Sequence, residues 1–177
     1  MLKTLFRKRP TETVADRLYA AAVAQARRPE FYTALGVADR IDARFELYTL
    51  HVLLLILRLR DEPAGEAGAD TAQALFDVYV SSLDHALREL GVGDMSIARK
   101  MRSLGEALYG RMIAYETPLR DGDAAALALP LARNVHDSED AQRGAALARY
   151  ALVARSNLAA QPFAEVVGTP SWPEITA

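Results

Sequence analysis

The 177-residue chain contains no cysteine, which removes disulfides, thiolate metal sites and cysteine nucleophiles together and is compatible with a reducing compartment. It has only three histidines, with no HExxH pair and no duplicated Glu-x-x-His motif, so no metal site is expected. Charge of one sign is also missing: 21 basic residues stand against 23 acidic ones, leaving no global field to gather nucleic acid. Any electrostatic function must therefore be local. No apolar run approaches the roughly 20 residues that span a bilayer. The longest, Leu50 to Leu57, is closed off by Arg58 and Arg60 and reads as a buried helix. The first ten residues lack the apolar stretch and small-residue cleavage site of a secretory signal. These absences lead us to expect a soluble protein with no cofactor.

What is present is rich in Ala, Leu and Arg, poor in β-branched residues and free of strand-like alternation or internal repeats. With 51% apolar residues, the chain can form one core that buries about two-thirds of its unfolded surface. Prolines at 10, 29, 63, 118 and 130 punctuate it into helices. The expected fold is all-α, a single compact bundle of about six to seven helices around a central apolar helix. Residues 1–10 are expected to form a flexible basic N-terminus, 11–165 the helical domain and 166–177 a C-terminal tail.

A first helix capped by Thr11 or Thr13 runs to about Arg28, with Val14, Leu18, Ala21, Ala22 and Gln25 on one face. A short turn over Phe31–Leu35 precedes Gly36, which suits a C-cap. Asp39 to Arg60 is the strongest helix: Ile41, Phe45, Tyr48, Val52, Leu55 and Leu59 repeat at helical spacing beside a second stripe from Ala43 to Leu57. Arg44, His51 and Arg58, seven residues apart, form its only polar line. Asp61 to Asp70 reads as a flexible surface loop. Helices follow over about Thr71–Leu90, Met95–Tyr115, Ala124–Asn134 and Asp140–Ala159. Between the first two of these, Gly91 suits a left-handed C-cap and Asp94 an N-cap. An antiparallel register between the central helix and its successor would bring Arg58 near Asp77 and His51 near Asp84, as a buried or half-buried polar clasp.

Three sets of polar residues invite a functional reading. Arg99, Lys100 and Arg102 cluster at the start of a helix, where they oppose the helix dipole, so helix stability does not explain them. They are a candidate contact surface. Lys3, Arg7, Lys8 and Arg9, interleaved with Leu2, Leu5 and Phe6, can touch anionic lipid at about 1 kcal/mol per basic residue. Ser81, Ser82, Asp84 and His85 are hydrolase residue types, but neighbours on one helical turn point in different directions and cannot align as a catalytic triad. No GxSxG elbow, phosphate loop or dinucleotide fingerprint accompanies them. An enzyme or small-ligand binder using Asp84, His85 and Arg88 around a pocket remains the alternative function. A DNA-binding regulator would need the helix from Met95 as its recognition element, which near-neutral charge argues against.

The words Phe76-Asp77 through Asp84, Leu87-Arg88-Glu89-Leu90-Gly91-Val92-Gly93-Asp94, Lys100-Met101 and Tyr109-Gly110-Arg111 resemble the central motif of the ubiquinol-cytochrome c chaperone family. The stretch Phe45 to His51, leading to Arg58-Leu59, is similar to that family's preceding helix. The resemblance covers about residues 38–120. It implies a non-catalytic chaperone that acts on cytochrome b, or another subunit of the bc1 complex, during assembly. It further implies a shorter bacterial form, cytoplasmic and peripheral at the inner face of the membrane. It points to Asp84, Arg88, Asp94, Tyr109 and Arg111 as client contacts alongside the basic cluster, and to His51, Gly91, Gly93 and Gly110 as structural positions. No nucleic-acid partner is expected.

Overall fold

A computed structural model describes residues 10–62, 66–89 and 91–176, all helix, turn and loop. The helices are α1 (Pro10–Ala26), α2 (Glu30–Thr33), α3 (Ile41–Arg60), α4 (Glu66–Glu89), α5 (Asp94–Asp121), α6 (Ala124–His136), α7 (Gln142–Ala160) and α8 (Phe163–Gly168). Leu90, expected on the inner face of α4, and the basic segment Lys3 to Arg9 lie outside the described residues.

α3 is the axis. Every residue from Leu50 to Leu59 is buried, because α1, α4, α5, α6 and α7 all pack around it. A helix apolar on all sides can be stable only when neighbours enclose it in this way. Its exception is Ile41, counted among the apolar repeats but 72% exposed, since it sits in the first turn beyond the reach of the surrounding helices. Leu18 and Ala22 of α1, Leu75 and Tyr79 of α4, Leu127 and Leu131 of α6, and Leu147 and Ala151 of α7 complete the core.

α1 includes Thr11 and Thr13, expected as its caps, and ends at Ala26 rather than Arg28; four further differences from expectation each have a local reason. α3 begins at Ile41 rather than Asp39, whose carboxylate pairs with Arg44 at 2.6 Å instead of capping. α4 begins at Glu66, inside the stretch expected to be a flexible loop. Gly68 is buried there, and a Cβ at that position would collide with the Leu59 carbonyl and lie 3.1 Å from the Glu62 Cβ, so glycine lets α4 start against the end of α3. α5 continues past Tyr115 through Pro118 to bury Leu119, and stops where Gly122 adopts φ +71°. α8 was not expected; Val166 anchors it in the core.

α6 opens on an Asp123 cap, whose side chain accepts from the Ala126 amide at 2.9 Å. α6 and α7 form the closest helix pair. A Cβ on Gly144 would lie 2.7 Å from the Ala132 amide nitrogen and closer still to the Ala128 carbonyl. Asp61, just after α3, ties two distant helices to it: burial pushes its carboxyl up, but Arg120 of α5 and Arg155 of α7, at 2.7 and 2.9 Å, pull it below the ordinary range.

Of the polar line of α3, His51 and Arg58 are buried in a clasp that faces α7 rather than α4, whereas Arg44 is exposed and paired with Asp39. The His51 Nδ1 lies 2.7 Å from the Leu47 carbonyl, which can only accept, so the ring hydrogen sits on Nδ1. Nε2 therefore accepts from the Tyr150 hydroxyl at 2.9 Å, and Tyr150 accepts from Gln25 Nε2 at 3.0 Å. Arg58 donates to the carbonyls of Leu158 and Gln161 and pairs with Glu62 at 2.8 Å. The expected partners bond along their own helix, Asp77 with Gln73 and Asp84 with Arg88. α4 meets α3 through Thr49 and the Tyr79 hydroxyl, 2.6 Å apart.

After α8 the chain returns across this clasp as an extended strap. The Gln161 amide fastens it by donating to the Ser171 carbonyl and accepting from the Ser171 amide, at 2.9 and 2.8 Å. Trp172 then sets its ring edge against His51, with centroids 5.1 Å apart, and Ile175 is buried beyond it.

Candidate functional site

The motif residues map onto the hairpin of α4 and α5, the least enclosed part of the bundle. Leu83, Leu87, Val92, Met101 and Leu104 are only half-buried there, although all are apolar. Among the described residues, Ile97 alone is buried between the hairpin tip and Leu108. The turn itself is backbone work. Gly91 takes φ +76°, and its amide and that of Val92 bond back to the carbonyls of Arg88 and Leu87. The N-cap position of α5 is Gly93, not Asp94, which is the first helical residue.

The structure divides the sequence-predicted residues into three sets. Arg99, Lys100 and Arg102 are exposed, and among the described residues none has a hydrogen-bond or ion-pair partner. Tyr109 is 67% exposed, and Ile113, one turn further along α5, is 60% exposed. Asp84 and Arg88 are bonded to each other at 2.7 Å on the outer side of α4, and His85 pairs with Glu89 at 3.3 Å beside them. The three residues of the alternative pocket thus engage neighbours one turn away along α4 and do not converge on an enclosed cavity.

Arg111 departs from the exposed set. It turns inward to form a two-pronged ion pair with Glu46 of α3, and stands 5.9 Å over the Phe45 ring. Glu46 is 5% exposed; burial pushes its carboxyl up, and the Arg111 guanidinium pulls it partly back. An ion pair of this kind holds the middle of α5 to the axis helix. Sequence reasoning missed Glu46, whose only signal is a carboxylate set among Phe45, Leu47 and Tyr48 that needs a cation from elsewhere.

Two open clefts flank α5. On the α4 side, Ile56, Ala69, Ala72, Phe76, Tyr109 and Met112 line an apolar groove of about 430 Å³, with Arg60 and Gln73 at its margin. On the α6 side, a polar cleft of about 410 Å³ contains the Glu46–Arg111 pair with Arg40, Asp42, Arg133 and Asp137 around it, and so carries balanced charge. Gly110 lines the continuation of this second cleft beside Ala107, Ala114 and Pro130. Its Cβ would meet no atom within 4 Å and its φ is not positive, so the fold places no demand for glycine there. Among the described residues there is no group of three or more potential metal ligands and no helix long and apolar enough to cross a membrane.

The chain is an all-α bundle built on one buried helix, with open clefts and, among the described residues, unpaired cations on its surface. The comparisons with known proteins give it a family. Residues 33–172 match the model described as ubiquinol-cytochrome C chaperone, and the chain belongs to that family. It is 23% identical over 130 residues to the Xenopus laevis ubiquinol-cytochrome-c reductase complex assembly factor 1. That match takes in 73% of this chain and 64% of the relative's length. It is 34% identical to the Cbp3 homolog from Brucella abortus, whose crystal structure matches 99% of this chain and 98% of its own with a TM-score of 0.82.

Proposed function

We propose that this protein is an assembly chaperone for the ubiquinol-cytochrome c reductase (bc1) complex, with cytochrome b or another bc1 subunit as its client and no chemistry of its own. The match of residues 33–172 to the chaperone family carries the reading, and the assembly factor named among its relatives supports it. The exposed part of the α4–α5 hairpin, with Arg99, Lys100, Arg102 and Tyr109, is the client-facing surface in this proposal, and Asp84, Arg88 and Asp94 border it. Its geometry suits the role: half-buried apolar side chains beside unpaired charge are what a transient protein contact uses. Arg111 and His51 serve the scaffold. Residence is cytoplasmic, at the inner face of the membrane.

Deleting the gene from its host and measuring cytochrome b and bc1 by absorption spectroscopy tests the proposal. Loss of both signals with normal levels of other cytochromes is expected, and normal bc1 content would defeat it. Peripheral membrane contact through Lys3, Phe6, Arg7, Lys8 and Arg9 is a separate part of the proposal. Removing residues 1–9 should weaken binding to anionic liposomes roughly tenfold or more, at about 1 kcal/mol per basic residue. Unchanged binding removes the lipid role.

A further inference from the structure

The apolar groove and Arg102 lie on one side of α5, with Arg99 about 60° further round the helix toward solvent and Lys100 on the opposite flank. Ala98, Arg102, Gly105, Tyr109, Met112 and Glu116 are spaced i, i+4, i+7, i+11, i+14 and i+18, so they form one edge of the helix, the edge turned toward α4. Tyr109 and Met112 line the groove, and Ile113 stands exposed at its lip. Small side chains keep the groove open, with Ala69 and Ala72 on α4 and Gly105 on the α5 edge above it. Arg102 lies seven residues from Tyr109 and Arg99 ten, or about 10 and 15 Å at 1.5 Å per residue. At the other end, the cation Arg60 is already engaged by Glu116 at 3.6 Å. The surface therefore runs from an apolar hollow to cations with no partner of their own.

We infer that this flank receives an amphipathic acidic segment of the client: a bulky apolar side chain enters the α4–α5 groove, and carboxylates 10–15 Å away along the segment reach Arg102 and Arg99. The inference rests on the chaperone reading and specifies what its surface selects. Charge complementarity sets the occupant. An uncharged apolar helix would leave Arg99 and Arg102 unsatisfied, and a basic one would be repelled. A helical segment would carry its carboxylates seven to ten residues from the anchor, on the same face.

The test uses the full chain and fluorescein-labelled 18-residue helical peptides read by fluorescence anisotropy. One peptide carries a Leu-Phe anchor with three Glu seven to ten residues away. A second replaces those Glu by Gln, and both are made in the two chain directions. At 50 mM salt the Glu peptide of one direction should bind at least tenfold tighter than its Gln counterpart, and 300 mM salt should remove most of the difference. In the double variant Arg99→Glu, Arg102→Glu, checked for folding by circular dichroism, the preference for Glu should vanish. In Tyr109→Ser, Ile113→Ser, binding of both peptides should fall at least fivefold. Equal binding of Glu and Gln peptides, or a preference that survives the arginine variant, overturns the inference. So does a preference for anionic phosphatidylglycerol vesicles with no discrimination between peptides, which would make the cations a membrane contact. In the host, a deletion strain that lacks bc1 while the R99E/R102E strain retains it would sink the surface and leave the chaperone reading standing. A deletion strain with normal bc1 would sink the reading itself.

Discussion

At pH 7 the His51 imidazole is neutral, because its two nitrogens are committed in one direction: Nδ1 donates to Leu47, and Nε2 accepts from Tyr150, which accepts from Gln25. Phe31 and Trp172 close the ring's remaining sides with aromatic edges, so no charged group faces it. Protonating Nε2 would set two donors against each other and leave the cation unsolvated. Burial accordingly lowers the pKa from 6.5 to about 4. The unfolded chain takes up this proton near pH 6.5 while the folded protein resists until about pH 4, so between these values the unfolded state binds more protons. Stability from this group is complete above pH 6.5 and declines as pH falls toward 4, by about 2 kcal/mol between pH 7 and pH 5. His136, half-buried and also lowered, acts in the same sense. Urea unfolding of the protein and of His51→Gln at the two pH values separates them: the variant should lose about 2 kcal/mol less than the parent on going to pH 5. Equal losses would mean that folding leaves the His51 pKa unshifted.

Among the elements, glycine marks where helices touch and where they do not. Gly144 sits where α7 crosses α6, and Gly144→Ala should destabilise the protein by about 3 kcal/mol, the upper range for overpacking, because its methyl group meets backbone rather than a movable side chain. Gly105 sits in α5 with open space around it, so Gly105→Ala should stabilise by about 1 kcal/mol through helix propensity alone. Thermal unfolding of the pair checks both signs. This contrast shows what the sequence discloses. The periodicity of Tyr48, Val52, Leu55 and Leu59 made α3 legible, because burial on every side leaves a dense local pattern. The left-handed turn at Gly91 was legible for the same local reason. Long-range pairings were not. The Glu46–Arg111 pair joins residues 65 positions apart and the His51–Tyr150 bond residues 99 apart, so spacing within one helix could not choose between α4 and α7 as the neighbour of His51. The exposed cations of α5 were found because they violate the dipole rule locally, whereas the groove beside them needs two helices to exist.

On the scale of the whole molecule, the bundle is closed by its own C-terminus. The strap after α8 covers the His51 clasp with Trp172 and buries Ile175, while the indole Nε1 beneath it is buried without a hydrogen-bond partner. Ending the chain at Gly168 should cost about 3 kcal/mol or more, comparable to deleting a buried aromatic side chain. It should also flatten the pH dependence below 6.5, since water would reach His51. A truncated protein with the parent's urea midpoint would show that the strap contributes nothing. Trp172 is the chain's only tryptophan, and it stands at the point where the strap seals the core. Its emission is therefore an optical signal from that seal alone: blue-shifted while the strap is docked, red-shifted when it lifts, and free of overlap from any second indole. A red shift that precedes the loss of far-ultraviolet ellipticity during denaturation would time the release of the C-terminus separately from the melting of the helices it covers.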